Sequence, residues 1–282
     1  MEGNYDIIDL KLTLASGQVF LWYTKGGYYY IIHGNSVLKV SIDNANHSIL
    51  YESRPVGVNV AEFFRLDDDI NAIRCSIDKD RIIRKAMKEF YGLRLLRQEP
   101  FQCLISFICA TNTSIKHATT MLNNLCRRFG KSVEFDGLVF YTFPEAKVLA
   151  NASINELCSC SLGYRAKYVK HASLEGSSID IEYLKNASYN ESRDTLLEIY
   201  GVGNKVADCI LLFALEHTEA FPIDVWITRA IASYYREVVN INSKKLSASK
   251  YIQVADAMRA YFGRYSGYAQ QYLYCYARRH LA

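Results

Sequence analysis

Long apolar runs are missing from this chain. No stretch approaches the roughly 20 consecutive apolar residues needed to cross a bilayer, which argues against a membrane-spanning helix. Residues 1–10 carry Asp6 and Asp9 where a secretory leader would be basic and then apolar, so a soluble intracellular protein is expected. Cysteine is sparse: the eight in 282 residues, at positions 75, 103, 109, 126, 158, 160, 209 and 275, exclude a disulfide scaffold and fit free thiols in a reducing compartment. A strong excess of one charge is also absent. The 33 Lys and Arg against 29 Asp and Glu give a net charge of +4, compatible with a polyanionic partner without identifying one. There is no repeat of solenoid period, no low-complexity linker and no nuclear-localisation run. A cytoplasmic protein is expected if the source is prokaryotic, and a nuclear one if it is eukaryotic.

What is present is apolar material, 50% of the chain, enough for one large or two modest cores. From Leu10 to about Ser53 the sequence is rich in Tyr, Val and Ile. Turn signals interrupt it at Ser16-Gly17, Lys25-Gly26-Gly27, Gly34-Asn35 and Asp43-Asn44, leaving strand-length segments such as 28–33 and 37–42. An antiparallel sheet follows from this pattern. Beyond Ala61 the period changes, with Asp68 and Asp78 as candidate caps and Ile82, Ile83, Ala86 and Phe90 at helical spacing. Residues 101–108 are nearly all apolar and predict a core helix. Further helices are expected at about 115–129, 145–151, 154–160, 165–174, 192–200, 205–215, 225–236, 247–262 and 267–280. The expected fold class is α+β: a small N-terminal sheet domain with flanking helices (1–93) packed on a mostly helical domain (94–282).

The most informative stretch is Leu196-Leu197-Glu198-Ile199-Tyr200-Gly201-Val202-Gly203-Asn204-Lys205-Val206-Ala207-Asp208. An apolar helix end meets two glycines around a valine, and a new helix begins. Glycines permit a tight hairpin and keep side chains away from whatever approaches its backbone. The free N–H groups and positive dipole end of the second helix can hold a phosphate without reading bases. An ordinary αα-hairpin, with a glycine that merely ends the first helix, is the competing reading. Lys205 falls in the first helical turn, where the dipole disfavours positive charge and lowers the cost of a neutral, nucleophilic amine; a solvated surface lysine is the alternative. Downstream, Phe221-Pro222-Ile223-Asp224-Val225-Trp226 places an acid before another helix. Asp224 can serve as its N-cap and, if it faces Lys205, can also stabilise cationic character at a reacting sugar carbon.

The hairpin Gly201-Val202-Gly203, Lys205 and Asp224 resemble, in order and spacing, the helix-hairpin-helix (HhH-GPD) DNA glycosylases. Ser16-Gly17-Gln18-Val19-Phe20, Leu95-Leu96-Arg97-Gln98-Glu99-Pro100, Phe107-Ile108-Cys109 with Asn112, Leu162-Gly163-Tyr164-Arg165-Ala166 and Lys205-Val206-Ala207-Asp208-Cys209 narrow the resemblance to the eukaryotic-type 8-oxoguanine DNA glycosylase/lyases. That resemblance covers most of the chain and implies base flipping, attack by Lys205 on the sugar's anomeric carbon, a Schiff base and β-elimination. Gly17 would accept the N7 hydrogen that 8-oxoguanine carries and guanine lacks; an unpaired buried carbonyl costs about 1–3 kcal/mol. Cys209 and Tyr274 would flank the base, and Gln270 would read its pairing edge. Asn112 would fill the gap in the duplex, Tyr164 would act as the wedge and Arg165 would read the widowed cytosine. Gly201, Gly203, Val206 and Trp226 would contact phosphate.

The sequence departs from the family pattern at His117, where a second cytosine-reading arginine is common, and at Trp226, which replaces a histidine. It departs again at Tyr274, usually phenylalanine, and at Ala277, usually acidic. Without those family motifs, each of these residues also has a plain structural use, Gly17 as a hairpin glycine and Cys209 as a buried thiol. Only Cys275 follows Cys209, so no iron–sulfur cluster and no metal centre are expected, with at most a monovalent cation at the hairpin. The expected partner is double-stranded DNA containing an oxidised purine, bound by a monomer, with no membrane. A glycosylase for a different damaged base and a non-catalytic DNA-binding module are the alternatives. The first would not need Lys205, and the second would need neither Lys205 and Asp224 nor a Gly17 pocket.

Overall fold

The computed structural model describes residues 8–43, 48–176, 179–241 and 246–282. Asp6 and Asn44, used above against a leader and for a turn, lie outside the described residues. Chain order begins with α1 (Leu10–Ala15), β1 (Trp22–Lys25), β2 (Tyr28–His33), β3 (Ser36–Asp43) and β4 (Ser48–Arg54), followed by α2 (Val60–Phe63), α3 (Ile70–Ile77) and α4 (Arg81–Glu89). Then come α5 (Pro100–Cys109), α6 (Ile115–Phe129), β5 (Ser132–Phe135), β6 (Leu138–Tyr141), α7 (Ala146–Asn151), α8 (Ile154–Ser159), α9 (Arg165–Gly176) and α10 (Ile181–Asn186). The chain ends with α11 (Tyr189–Glu198), α12 (Asn204–Ala214), α13 (Val225–Tyr234), α14 (Ala248–Phe262) and α15 (Ser266–His280).

The first four strands form an antiparallel sheet in sequential order, with Ile31 opposite Trp22 on one side and Leu38 on the other. Strand alternation sends successive side chains to opposite faces. Tyr30 and Ile32 join the core built by the helices, whereas Ile31 packs with Leu10, Leu14, Val60 and Phe64 in a second cluster. Both faces of the sheet are thereby covered, and the sheet shares its main core with the helical part. Backbone bonds also cross between the parts: Arg97 N–H donates to Phe63 O and Phe143 N–H to Gly34 O, both at 2.9 Å.

Some elements differ from the sequence reading. α1 begins the stretch read as sheet: Asp9 caps it by accepting the Leu12 N–H, and Leu10, Thr13 and Leu14 bury at helical spacing. The caps fall on Asp69, which opens α3, and Asp80, which opens α4, rather than on Asp68 and Asp78. Asp78 instead closes α3, and Asp68 accepts the Tyr268 hydroxyl and pairs with Arg65. α10 was not anticipated, nor was the β5–β6 hairpin inside the helical part. That hairpin turns at Asp136-Gly137, both with positive φ (51° and 67°), the geometry an Asp-Gly pair favours. Asp136 also ties the hairpin to the large sheet through Lys39 (2.5 Å) and Tyr30 (2.8 Å).

Candidate active site

The hairpin between α11 and α12 is fixed by its glycines. Gly201 has φ +95°, and a Cβ there would lie 2.5 Å from Tyr168 Cγ, so the turn rests directly on that ring. Gly203 precedes α12 in extended conformation and supplies no side-chain cap. The first intrahelical bond runs from Ala207 N to Gly203 O (3.0 Å), which leaves the N–H groups of 204–206 without helical partners at the lip of a cleft. Val206 buries its side chain, while Lys205 is partly exposed, its Nζ 4.7 Å from the centroid of the Phe107 ring.

That cleft has a volume of about 970 Å³. Gly17, Lys205, Cys209, Asp224, Gln270 and Tyr274 all line it, although they come from the sheet part, α12, the 220–224 loop and α15. Asp224 caps α13, with Oδ1 accepting the N–H groups of Trp226 and Ile227 at 2.9 Å each. Burial pushes its carboxyl above the ordinary range, against the opposing pull of those N–H groups and the Lys205 charge. Burial likewise pushes the Cys209 thiol up to about 12, opposed by Lys205, so Cys209 stays a neutral thiol beside the amine. Gln270 is 4% exposed; its Nε2 donates to Pro222 O (2.9 Å), and its buried Oε1 has no hydrogen-bond partner among the described residues. An unpaired buried acceptor in a cleft suits a ligand that brings donors.

The Gly17 loop is held from several directions. Gly17 has φ +84°, and a Cβ on it would meet the Tyr274 hydroxyl at 2.8 Å. On one side, the buried Gln18 side chain donates to Arg94 O and accepts the Leu96 N–H, both at 2.9 Å. On the other, Gln271 Nε2 donates to Ser16 O at 2.7 Å. Gln271 therefore clamps the loop to the helix that also presents Gln270, a role the sequence reading did not assign. Arg278 was missed as well. It lines the cleft, holds its guanidinium 5.4 Å from the Tyr274 ring centroid and places a positive charge near Asp224. Its position four residues after Tyr274 on α15 is the helical spacing that could have revealed it.

The residues assigned to the opposite strand are more dispersed. Asn112 is exposed at the cleft edge in left-handed conformation (φ 51°). Tyr164 is 55% exposed and stands edge-on to Tyr168, with ring centroids 5.8 Å apart. Arg165 is buried: its guanidinium donates to Thr111 O and lies 4.5 Å from the Tyr164 ring centroid, so it braces the turn that carries Asn112. His117 is exposed in the first turn of α6 and does not line the cleft. Trp226 does line it, with Arg229 4.6 Å over its ring.

Residues 4–104 match the family model for the 8-oxoguanine DNA glycosylase N-terminal domain, and residues 105–250 match that for HhH-GPD superfamily base excision DNA repair proteins. A probable N-glycosylase/DNA lyase of Methanothermobacter thermautotrophicus is 34% identical over 222 residues, 71% of this chain and 68% of that protein. The N-glycosylase/DNA lyase OGG1 of Arabidopsis thaliana is 28% identical over 281 residues, 95% of this chain and 76% of its own. Among solved structures, the 8-oxoguanine glycosylase/lyase of Clostridium acetobutylicum, in complex with double-stranded DNA containing cytosine opposite 8-oxoguanine, superposes with a TM-score of 0.87 at 30% identity, covering 100% of this chain and 98% of that one. The 3-methyladenine DNA glycosylase of Archaeoglobus fulgidus shares the fold (TM-score 0.77, 21% identity, 99% and 98% coverage). Sheet domain, hairpin and cleft thus come together in one assignment: the chain belongs to the HhH-GPD superfamily of base excision DNA repair proteins, as a glycosylase of the 8-oxoguanine type.

Proposed function

We propose that this protein excises 8-oxoguanine from duplex DNA and then cuts the strand at the resulting site, with Lys205 as nucleophile. The observation that carries the site assignment is the single cleft joining Lys205 and Asp224 to Gly17, Cys209, Gln270 and Tyr274. Phosphate binds at the start of α12, where the hairpin leaves backbone donors free. The flipped base enters between Cys209 and Tyr274, and its pairing-edge donors reach the unpaired Gln270 Oε1. The Gly17 carbonyl accepts the N7 hydrogen.

Lys205 Nζ, as the neutral amine, forms a bond to C1′ while the glycosidic bond breaks and its electron pair leaves with the base, which takes up a proton. Asp224, as carboxylate, stabilises the positive charge at C1′. Loss of the amine proton and opening of the sugar ring give the Schiff base. Removal of a C2′ proton then expels the 3′ phosphate by β-elimination. The proposal assigns bond formation at C1′ to Lys205 and charge stabilisation to Asp224, and it includes no iron–sulfur cluster.

Borohydride trapping on a duplex with 8-oxoguanine opposite cytosine tests the assignment, comparing the intact protein with Lys205→Gln. A covalent adduct that requires Lys205 is expected. Binding of that duplex with neither base release nor trapping would overturn the proposal in favour of another lesion or a binding module.

A further inference from the structure

Asp224 is held by more than its own helix. The residue pair before it, Pro222-Ile223, contributes a single planar peptide unit whose two polar ends are both bonded to side chains. Its carbonyl, Pro222 O, accepts from Gln270 Nε2 at 2.9 Å. Its N–H, on Ile223, donates to Tyr251 Oη at 3.1 Å. The Tyr251 hydroxyl in turn donates to Asp208 Oδ2 at 2.6 Å. Asp208 is fully buried on α12, three residues after Lys205, and its other oxygen accepts the Tyr189 hydroxyl at 2.6 Å. Arg193 stands 3.7 Å from that oxygen and also donates to Asn204 Oδ1 (2.7 Å) at the start of the same helix.

We propose that Tyr251 is a positioning residue, which ties the peptide that carries Asp224 to the helix that carries Lys205. The inference rests on the function proposed above. The chain of contacts runs from Lys205's helix through Asp208 and Tyr251 to the 222–223 peptide, and on its other edge from that peptide to Gln270 in the base pocket. A flipped base that orders Gln270 therefore acts on the same peptide that sets Asp224. Tyr251 is 7% exposed, so loss of its hydroxyl would leave the Ile223 N–H buried without that acceptor. The peptide would then turn to recover a partner, taking Asp224 with it. Misplacement of a reacting group by about 1 Å can cost on the order of a hundredfold in rate.

The test is a double-mutant cycle of Tyr251→Phe and Asp224→Asn. It is read as the single-turnover rate of 8-oxoguanine excision, with affinity for an uncleavable lesion duplex and the thermal midpoint measured alongside. Tyr251→Phe should slow excision about tenfold or more in the otherwise intact protein, by the misplacement argument. In the Asp224→Asn background it should change the rate less than about twofold, because Tyr251 acts through Asp224. Affinity should stay within about threefold in both. A tenfold loss in both backgrounds marks a general structural role and overturns the proposal, as does an unchanged rate in the intact background. If Tyr251→Phe does not fold, Asp208→Asn takes its place in the same cycle with the same outcomes. Absence of excision by the unmutated protein would instead count against the proposed function itself.

Discussion

Gly201→Ala is the substitution for which the structure gives the firmest magnitude. At φ +95° an alanine is strained by about 1–3 kcal/mol. The new Cβ would also stand 2.5, 2.6 and 2.8 Å from Tyr168 Cγ, Cβ and Cδ1. Those atoms lie at the root of the Tyr168 side chain on α9, so rotation of the ring cannot clear them and the hairpin itself must lift. With overpacking costing about 1–3 kcal/mol, the total is about 2–6 kcal/mol. In a chain of this size that corresponds to a fall in melting temperature of roughly 3–10 °C. A lifted hairpin also aims its free N–H groups away from the phosphate. Duplex affinity should drop for damaged and undamaged DNA alike, and loss of one phosphate contact should flatten the slope of log K against log salt by about 0.9. Scanning calorimetry, together with fluorescence anisotropy across a salt series, reads both effects. A melting temperature within 1 °C of the unmutated protein and an unchanged affinity would refute the account of Gly201.

Gly17→Ala contrasts with it, because the clashing atom is the tip of Tyr274 and that ring can swing aside. Excision of 8-oxoguanine should fall at least tenfold, in keeping with the misplacement of a pocket wall, while the thermal midpoint drops by only a few degrees; unfolding and excision assays on one preparation check both. Burial holds the Asp224 carboxyl above its ordinary range, and the carboxylate is the working form. Single-turnover excision should therefore decline on the acid side from a pH above the usual carboxylate value, and Asp224→Asn should remove that limb of the profile. With His117 off the cleft and Arg165 turned onto Thr111, Asn112 is the exposed member of that group at the cleft edge. Excision opposite cytosine and opposite adenine should accordingly differ by less than about tenfold, since one polar contact is worth about 1 kcal/mol; rates on paired duplexes measure this, and a hundredfold preference for cytosine would contradict it.

The α+β architecture was legible because its signals are local. Strand-length Tyr/Val/Ile segments between glycine turns gave the sheet, and 3.6-residue periodicity gave most of the helices. The misses have local causes too. Leu10 to Ala15 alternates like a strand, but the Asp9 cap and the shared burial of Leu10, Thr13 and Leu14 decide for helix. The Asp136-Gly137 turn carried a hairpin signal that went unused among helical neighbours. Within the site, the glycine hairpin with Lys205 and Asp224 stands out by spacing, since one short segment must place backbone donors and a nucleophile together.

The sequence by itself determined the helix start that can hold a phosphate, the lysine within its first turn and the acid that caps a later helix, because helix termini and turns follow from residues a few positions apart. Only the tertiary structure decided that Gly17, some 250 residues before Gln270, shares one cleft with it. It alone turned Arg165 inward, put Gln271 on the Ser16 carbonyl and joined Tyr251 to Asp208. Each of these depends on which buried donor meets which buried acceptor across the packed core. No sequence period encodes that pairing, and the cost of leaving any of these groups unpaired enforces it once the chain has folded.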